Sequence, residues 1–277
     1  MLAPSQYMRL YFYIFVILFP LALAPAGANE PVERKRVFGN SAGITLKAAV
    51  PWIGPFGFME DGKIEGSQVE FYKALAALTG YNIEVSLVNY KRVQFLLKSG
   101  YFDLAMIFKA PHLNEFSTPI IELEALPNII IGLQGTEIKS LKALETMTVA
   151  ALRGGVFDQM FSTHKNWQSI TANSYEHSVR LLLKGRVDAM VGTLDGVIFH
   201  LQRAGVTPDM LGSPFELDTQ EMTLYASHAS KLNGDYEIMK AATQQMQKDG
   251  LTERIRQSFL DPAMRKKLRL PAWTVEN

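Results

Sequence analysis

Residues 96–104 read LLKSGYFDL, and residues 181–189 repeat the same pattern as LLLKGRVDA. Each copy predicts the end of an amphipathic helix, then a glycine, an apolar residue, an aspartate and a buried strand. Gly100 and Gly185 follow the last helical turn, where glycine most easily adopts the left-handed conformation that ends a helix. The apolar residues after each aspartate suit a short strand covered on both faces. Two copies 85 residues apart therefore predict two α/β lobes of similar design, with a cleft between them that can hold a small ligand.

The rest of the chain alternates predicted strands with predicted helices, which favours a largely parallel α/β sheet. No long linker separates the two lobes, so we expect paired strand crossings near residues 128–133 and 216–224. The resulting division places residues 37–128 and 222–260 in lobe 1, residues 129–221 in lobe 2, and residues 261–277 in a C-terminal tail on the surface.

The first 28 residues predict a signal for export. Arg9 is their lone charge, an apolar run follows, and Ala26, Gly27 and Ala28 end in the small-x-small pattern of a signal-peptidase site. The apolar run covers 15 residues, which is shorter than the roughly 20 that a membrane helix needs. Cleavage after Ala28 is therefore favoured over an uncleaved anchor. Because cysteine is absent, a lipid-modified N-terminal cysteine is excluded, and the pattern predicts a soluble protein of a Gram-negative periplasm.

The charge balance of the chain excludes a broad electrostatic surface for nucleic acid. Removing residues 1–28 takes one of the 28 basic residues and none of the 27 acidic ones, which leaves 27 of each sign. The histidines His164, His177, His200 and His228 show no metal-ligand spacing, so no metal is expected. No nucleophile elbow or phosphate loop stands out either, and no cofactor is predicted.

The order of the motifs resembles the family-3 periplasmic solute-binding proteins, which include the amino-acid receptors of ABC transporters. Seven segments carry the resemblance, namely PF at 55–56, DGKIEGSQVE at 61–70, LKSGYFD at 97–103, FSTP at 116–119, VAALRG at 149–154, LLKGRVDA at 182–189 and ATQQMQKDG at 242–250. The resemblance implies a type II periplasmic binding fold, in which two α/β lobes are joined by two strand crossings. It also implies a monomer that closes on a ligand and docks on a membrane permease.

The residues that hold an amino acid in that family are altered in this chain. The segment before FSTP lacks the family's carboxylate-binding arginine, and Lys109 and His112 are its only candidate replacements. A hydroxyl residue expected after the second-lobe glycine is Gly155 here. Thr193 stands where an acid usually holds the ligand ammonium, with Asp195 two residues on. The resemblance therefore leaves the ligand open between an amino-acid-like solute and another polar or aromatic acid.

Aromatic and basic residues at the ends of lobe 1 elements are predicted to line the cleft. Trp52, Phe56 and Phe58 can stack on a flat ligand, with core packing under the loop as the alternative. Phe108 and Lys109 follow a predicted strand, and ligands of open α/β sheets bind beyond the carboxyl ends of strands. The alternative for Lys109 is a solvated surface cation.

Two further groups of candidate residues come from lobe 2. Arg153, Gly154 and Gly155 form a strand-to-helix turn whose N–H groups suit an anion, unless the glycines serve the turn alone. Thr193 and Asp195 follow the second repeated segment, and Asp195 can instead be a helix N-cap.

The sequence therefore predicts a binding protein that is not an enzyme and that captures a small organic solute for an ABC importer. Two alternatives stay open: a ligand-sensing module for a membrane receptor, and a periplasmic dehydratase-like enzyme resembling cyclohexadienyl dehydratase. The enzyme needs an acid or base in the cleft, for which the candidates are Glu60, Glu70, Lys109 and Asp195. The aspartates of the repeated segments, Asp103 and Asp188, are instead expected to be structural.

Overall fold

A computed structural model describes residues 43–153, 156–164, 166–234 and 236–268 of the chain. The predicted export signal at residues 1–28 and the last nine residues of the chain lie outside the described residues. Within the described ranges, no helix combines the length and apolar character needed to span a membrane.

The strands and helices follow the predicted alternation closely. The strands are β1 (Thr45–Pro51), β2 (Phe58–Glu60), β3 (Lys63–Glu65), β4 (Asn82–Val88), β5 (Leu104–Phe108), β6 (Ser117–Gly132), β7 (Thr148–Leu152), β8 (Gln168–Ala172), β9 (Ala189–Thr193) and β10 (Phe215–Ser227). The α-helices are α1 (Ser67–Thr79), α2 (Tyr90–Lys98), α3 (Val156–Thr163), α4 (Tyr175–Leu183), α5 (Leu194–Arg203), α6 (Tyr236–Lys248), α7 (Leu251–Gln257) and α8 (Pro262–Lys267). Short 3₁₀ helices span Pro111–Glu115, Leu141–Thr146 and Pro208–Met210.

One eight-stranded sheet with the order β4-β1-β5-β10-β6-β9-β7-β8 runs through both lobes. The central pair, β6 and β10, is antiparallel. On one side of this pair the strands β4, β1 and β5 are parallel to one another, and on the other side β8, β7 and β9 are parallel. The two halves therefore repeat the same strand order outward from the centre, and β6 and β10 are the predicted strand crossings. Strands β2 and β3 form a separate hairpin.

The crossing strand β6 is longer than predicted. The FSTP segment at residues 116–119 contains a proline, which locally favours a turn, but β6 begins at Ser117 and continues to Gly132. The proline has no N–H for a sheet ladder, and the pairing with β10 is irregular between Leu224 and Tyr225, where Tyr225 faces Pro119. This irregularity lets the strand continue through the proline.

Each lobe buries both faces of its part of the sheet. In lobe 1, Val50 packs with helices α1 and α6, whereas its neighbour Ala49 packs on the other face with α2. In lobe 2, Ala150 packs with α4 and α5, and its neighbour Val149 packs with α3. Because successive side chains of a strand point to opposite faces, these adjacent residues supply two apolar layers.

The predicted surface tail is wrong for the part that the structure describes. Leu251 and Ile255 of α7 pack against the lobe 1 core, but Leu260, Met264 and Leu268 are buried in the lobe 2 core. Met264 lies in α8, and Leu260 and Leu268 flank that helix, each four residues from Met264. The basic residues between them concealed this apolar spacing at the sequence level. The chain thus passes from lobe 1 to lobe 2 once more after the two crossing strands.

Candidate functional site

A cleft lies where the carboxyl ends of parallel strands from both lobes meet. Pro51, Phe108, Leu152 and Thr193 are the last residues of β1, β5, β7 and β9, and all four line one inner chamber of about 70 Å³. The crossing strands contribute Asn128, among others, to its wall. The chamber therefore occupies the position between the lobes at which open α/β sheets bind ligands.

The inner chamber is lined by apolar, aromatic and neutral polar side chains. No Asp, Glu, Lys, Arg or His is found among the described residues that line it. Burial raises the pKa of Tyr90 to about 12 and also raises the pKa of Tyr175. Both phenols therefore stay neutral near pH 7, and the described residues of this lining carry no formal charge.

Two buried amide side chains, Gln68 and Asn128, are among the residues that line this chamber. Gln68 Nε2 donates to Met106 O at 3.1 Å, and Asn128 Nδ2 donates to Asp218 Oδ1 at 2.6 Å. These acceptors determine which end of each amide is nitrogen. The other ends, Gln68 Oε1 and Asn128 Oδ1, have no hydrogen-bond partner within the described part of the chain.

An outer chamber of about 450 Å³ shares part of its wall with the inner one, and its lining includes the exposed residues Trp52 and Arg153. The residues common to both chambers are Ile53, Tyr90, Leu152 and Tyr175. In contrast to the inner chamber, the outer one has charged residues in its lining, namely Lys91, Arg153, Glu176, His200 and Arg203.

Two cations of the outer chamber have no carboxylate partner among the residues that the structure describes. Arg153 is held by its own N–H, which donates to Ala172 O at 2.8 Å, and by its Nε, which donates to Asn173 Oδ1 at 2.9 Å. Among the described residues, no carboxylate lies within ion-pair distance of Arg153 or Lys91. Glu176, an acid in the lining of this chamber, contacts the imidazole of His200 and neither of these two cations. Its Oε1 is 3.2 Å from His200 Nδ1, and this contact lowers the pKa of Glu176 to about 2.

Tyr175 lines both chambers, and it is not among the residues that the sequence motifs predict for the site. Its hydroxyl accepts a hydrogen bond from Thr193 N at 3.0 Å, and its ring stacks on His200 with a centroid distance of 5.1 Å. A Cβ on Gly192 would lie 2.3 Å from the tyrosine ring, so the glycine makes room for it. The signal available in the sequence was Ser174, an N-cap residue that places Tyr175 at the start of a helix directly after a strand.

The two lobes touch at the mouth of the cleft. Phe58, in the hairpin of lobe 1, packs on Phe199 of α5 with ring centroids 4.8 Å apart. The Arg203 guanidinium lies 5.4 Å from both rings and pairs with Glu60 at 3.1 Å. The backbone of Gly54 approaches the same helix so closely that a Cβ there would lie 2.1 Å from the Phe199 ring.

The structure places most of the predicted ligand-binding residues in this cleft. Lining the inner chamber are Phe56, Phe108 and Thr193, and lining the outer chamber are Trp52, Phe58 and Arg153. Gly154 and Gly155 lie outside the described residues. That these residues contact a ligand stays a prediction.

Lys109 does not line either chamber, contrary to the prediction. Its Nζ pairs with Glu221 at 2.9 Å and with Glu122, both on the crossing strands. His112, the other candidate replacement for the family's arginine, contacts Gln94 at 2.9 Å and is likewise absent from the lining of the two chambers. The strand β5 ends one residue earlier, so its side-chain alternation directs Phe108 rather than Lys109 to the cleft.

Asp195 is also placed away from the cleft. It is buried, and the Nη1 of Arg256 donates to both of its carboxylate oxygens at 2.9 and 3.1 Å. The alternative role as an N-cap is wrong as well, because the N-cap of α5 is Thr193, whose Oγ1 accepts from Gly196 N at 3.2 Å.

Arg256 joins three acids beside the crossing strands. Besides Asp195, it contacts Glu124 of β6 and Glu253 of its own helix, each at 2.9 Å. The single hydrogen of its Nε is directed to Glu253. Burial raises the pKa of Glu124 to about 7, because the nearby guanidinium offsets only part of the desolvation and two other carboxylates oppose ionisation.

Comparisons with known proteins agree with this architecture, although no protein-family model matches the chain. The chain is similar to the probable amino-acid-binding protein YxeM of Bacillus subtilis (strain 168), with 23% identity over 216 residues that cover 75% of this chain and 80% of that protein. It is similar to the putative amino-acid ABC transporter-binding protein PatH of Vibrio harveyi, with 25% identity over 212 residues, 73% of this chain and 82% of that protein.

A solved structure shares the same fold. The crystal structure of a histidine kinase sensor domain with similarity to periplasmic binding proteins matches 80% of this chain and 99% of its own, with a TM-score of 0.66 and 18% identity. Together, the comparisons confirm the predicted resemblance to the solute-binding proteins of ABC transporters and the predicted two-lobed fold.

Proposed function

We propose that this chain is an exported solute-binding protein that captures a small organic solute between its lobes and delivers it to an ABC importer. In this proposal it acts as a monomer in the periplasm after removal of residues 1–28. The observation that carries the proposal is the cleft itself, whose inner chamber is walled by strand ends of both lobes. A ligand bound there touches both lobes and therefore stabilises their closed arrangement.

The contacts of the acid and base candidates favour binding over catalysis. Glu60 is paired with the arginine at the mouth of the cleft, and Glu70 is paired with Lys73 at 2.7 Å. Lys109 and Asp195 are held in the ion pairs described above. None of these four lines the inner or the outer chamber. A dehydratase would need such a group next to its substrate. In this cleft that role would fall to Glu176 and His200, which contact each other at 3.2 Å.

A sensory role is the second candidate, and the similarity to a histidine kinase sensor domain favours it. In that role the same cleft binds the solute, but the closed form contacts a membrane receptor instead of a permease. Deletion of the gene separates the two roles. Loss of uptake of the radiolabelled solute supports the importer, whereas unchanged uptake with an altered transcriptional response supports the sensor.

The proposal is tested by a thermal-shift screen of the exported protein, purified after expression of the full chain. The panel contains amino acids, polyamines, carboxylates and aromatic acids. A ligand at about 100-fold its Kd adds about 2.7 kcal/mol to the free energy of unfolding, which raises the melting temperature visibly. Sequencing of the N-terminus of the same sample should give Asn29.

A matched pair of variants locates the binding. Leu152→Gln changes a residue that lines both chambers, whereas Leu183→Gln changes an exposed leucine at the end of α4. The first should abolish the ligand-induced shift and the second should preserve it. A panel in which no solute raises the melting temperature would contradict the proposed function.

A further inference from the structure

The two chambers of the cleft separate apolar surface from charge. The inner chamber has no charged group among its described lining residues, and its side chains include Phe56, Phe108 and Phe157. The outer chamber holds Arg153 and Lys91, neither of which has a carboxylate partner in the described part of the chain. A ligand that fits both chambers therefore has an apolar end and an anionic end.

An amino-acid head group does not match this arrangement. Its carboxylate and ammonium sit on one carbon atom, so both must lie in the same chamber. In the inner chamber, both charges would be buried with no partner of opposite charge among the described lining residues, which is strongly unfavourable. In the outer chamber, the ammonium would face the same two unpaired cations that attract the carboxylate.

The acids near the mouth do not reverse this charge preference. Glu176 lies 3.2 Å from the His200 ring, and Glu60 is already paired with Arg203. Among the described residues of the outer lining, the cations Lys91, Arg153 and Arg203 outnumber the one carboxylate, that of Glu176. The resulting field favours an anion and disfavours a cation at the mouth.

The aromatic side chains of the walls suit a ring. Trp52, Phe58 and Tyr90 line the outer chamber, and Tyr90 and Tyr175 continue into the inner one. Aromatic groups pack favourably on ring faces and edges. Gln68 and Asn128 also line the inner chamber, and the amide oxygen of each has no hydrogen-bond partner in the described part of the chain. A hydroxyl on the ring can donate to an acceptor of this kind.

We infer that the cleft binds an aromatic monocarboxylate that has no ammonium group, with the carboxylate at Arg153 and Lys91 and the ring directed into the inner chamber. This inference rests on the proposed function and names the ligand class of that same site.

Calorimetric titration of the exported protein with three compounds of the same ring tests the inference. These are 3-phenylpropanoate, which has only the carboxylate, phenylalanine, which has both charges, and 2-phenylethylamine, which has only the ammonium. We expect 3-phenylpropanoate to bind at least about tenfold more tightly than the other two, since a desolvated unpaired charge opposes their binding. We expect 3-(4-hydroxyphenyl)propanoate to bind at least as tightly as 3-phenylpropanoate.

Substitutions test whether Arg153 binds the carboxylate of the ligand. Arg153→Gln should weaken 3-phenylpropanoate binding about tenfold or more, because it removes a charged hydrogen-bond donor. Arg180→Gln, at an exposed position of α4, is the matched control and should leave the affinity unchanged. Because Arg153 is exposed, circular dichroism should show that the first variant folds normally.

The outcomes distinguish this inference from the proposed function. Tighter binding of phenylalanine or of 2-phenylethylamine overturns the inference but leaves a solute-binding protein. Binding of none of the three compounds, with a response to another solute of the thermal-shift panel, also overturns the ligand class alone. A protein that responds to no solute at all contradicts the proposed function.

Discussion

Asp103 and Asp188 make the same pair of hydrogen bonds in the two lobes. Asp103 accepts from Lys47 N through Oδ2 at 2.8 Å and donates its own N–H to Lys47 O at 2.8 Å. Asp188 accepts from Thr148 N at 2.7 Å and donates to Thr148 O at 2.8 Å. In each lobe the aspartate thus ties the turn after a helix to the start of the neighbouring parallel strand. The predicted structural role of both residues is confirmed.

Substitution of the two aspartates should lower the free energy of unfolding by different amounts. Asp103 is buried and also accepts from Lys231 N at 2.7 Å, whereas Asp188 is exposed. Asp103→Ala should lower the free energy of unfolding by about 3 kcal/mol and Asp188→Ala by about 1 kcal/mol, because the first leaves more donors without a partner. Urea unfolding measures both values, and equal losses would refute this account.

Trp52 should contribute to ligand affinity and hardly to stability. Its side chain is 61% exposed at the mouth of the cleft. Trp52→Ala should weaken ligand binding by about two- to tenfold, the range expected for one aromatic contact, and change the free energy of unfolding by less than about 0.5 kcal/mol. Phe95→Ala is the control, since Phe95 is 69% exposed on α2, away from both chambers. An unchanged affinity in the tryptophan variant would contradict a stacking role.

Gly54 and Phe199 should be energetically coupled across the cleft. A Cβ on Gly54 would lie 2.1 Å from the Phe199 ring, so Gly54→Ala forces the loop and α5 apart. Phe199→Leu removes part of the ring that the new methyl group meets. In a double-mutant cycle followed by urea unfolding, the second change should recover at least about 1 kcal/mol of the loss caused by the first. Strict additivity would mean that the two lobes do not meet at this point in solution.

Glu124 should make the stability fall as the pH rises. Its pKa is about 7 in the folded protein and 4.5 ordinarily, so between these values the unfolded chain releases a proton that the folded protein retains. The free energy of unfolding should therefore decrease over this window, by about 2 kcal/mol after allowing for partial solvent screening.

Glu124→Gln removes this titration while Arg256 keeps its contacts with Asp195 and Glu253. Urea unfolding of both proteins from about pH 4.5 to about pH 8 isolates the contribution of the residue. The variant should gain stability relative to the wild-type protein as the pH rises. Parallel curves would show that Glu124 titrates at its ordinary pKa.

Met264 should be essential for stability although it lies among basic residues near the end of the chain. It is 1% exposed and packs in the lobe 2 core. Met264→Ala should cost about 2–4 kcal/mol, whereas Met210→Ala, at a 39% exposed position, should cost less than about 0.5 kcal/mol. If residues 261–268 were a surface tail, urea unfolding would show that neither substitution changes the free energy of unfolding.

Much of the fold could be predicted because its signals are local. Gly100 and Gly185 adopt positive φ angles of 73° and 61°, as the helix ends require, and the apolar runs after Asp103 and Asp188 form strands β5 and β9. The length of β6 could not be predicted, since it depends on pairing with a strand about 100 residues later in the chain, and a proline within it reads locally as a turn.

The sequence predicted the residues of the candidate site only where a residue ends a strand. Phe108 and Thr193 end strands and line the cleft, whereas Lys109 and Asp195 lie one and two residues further and are held by ion pairs. The partner that removes Asp195 from the cleft is Arg256, which is 61 residues away in the chain. No local sequence pattern predicts such an ion pair. The charge of a residue alone therefore did not predict whether it lines the cleft.

The third passage of the chain between the lobes limits how they can move. Two adjacent strands form a ribbon, and a ribbon both bends and twists. Here residues 258–261 form a strut beside it, because the apolar side chains of α7 pack in the core of lobe 1 and Met264 of α8 packs in the core of lobe 2. The strut shares a surface groove with Ala125 and Pro127 of β6, so three chain segments must flex together. We expect this strut to suppress twisting of the two lobes relative to each other. The lobes should then rock about one axis, so that the cleft opens along a single edge.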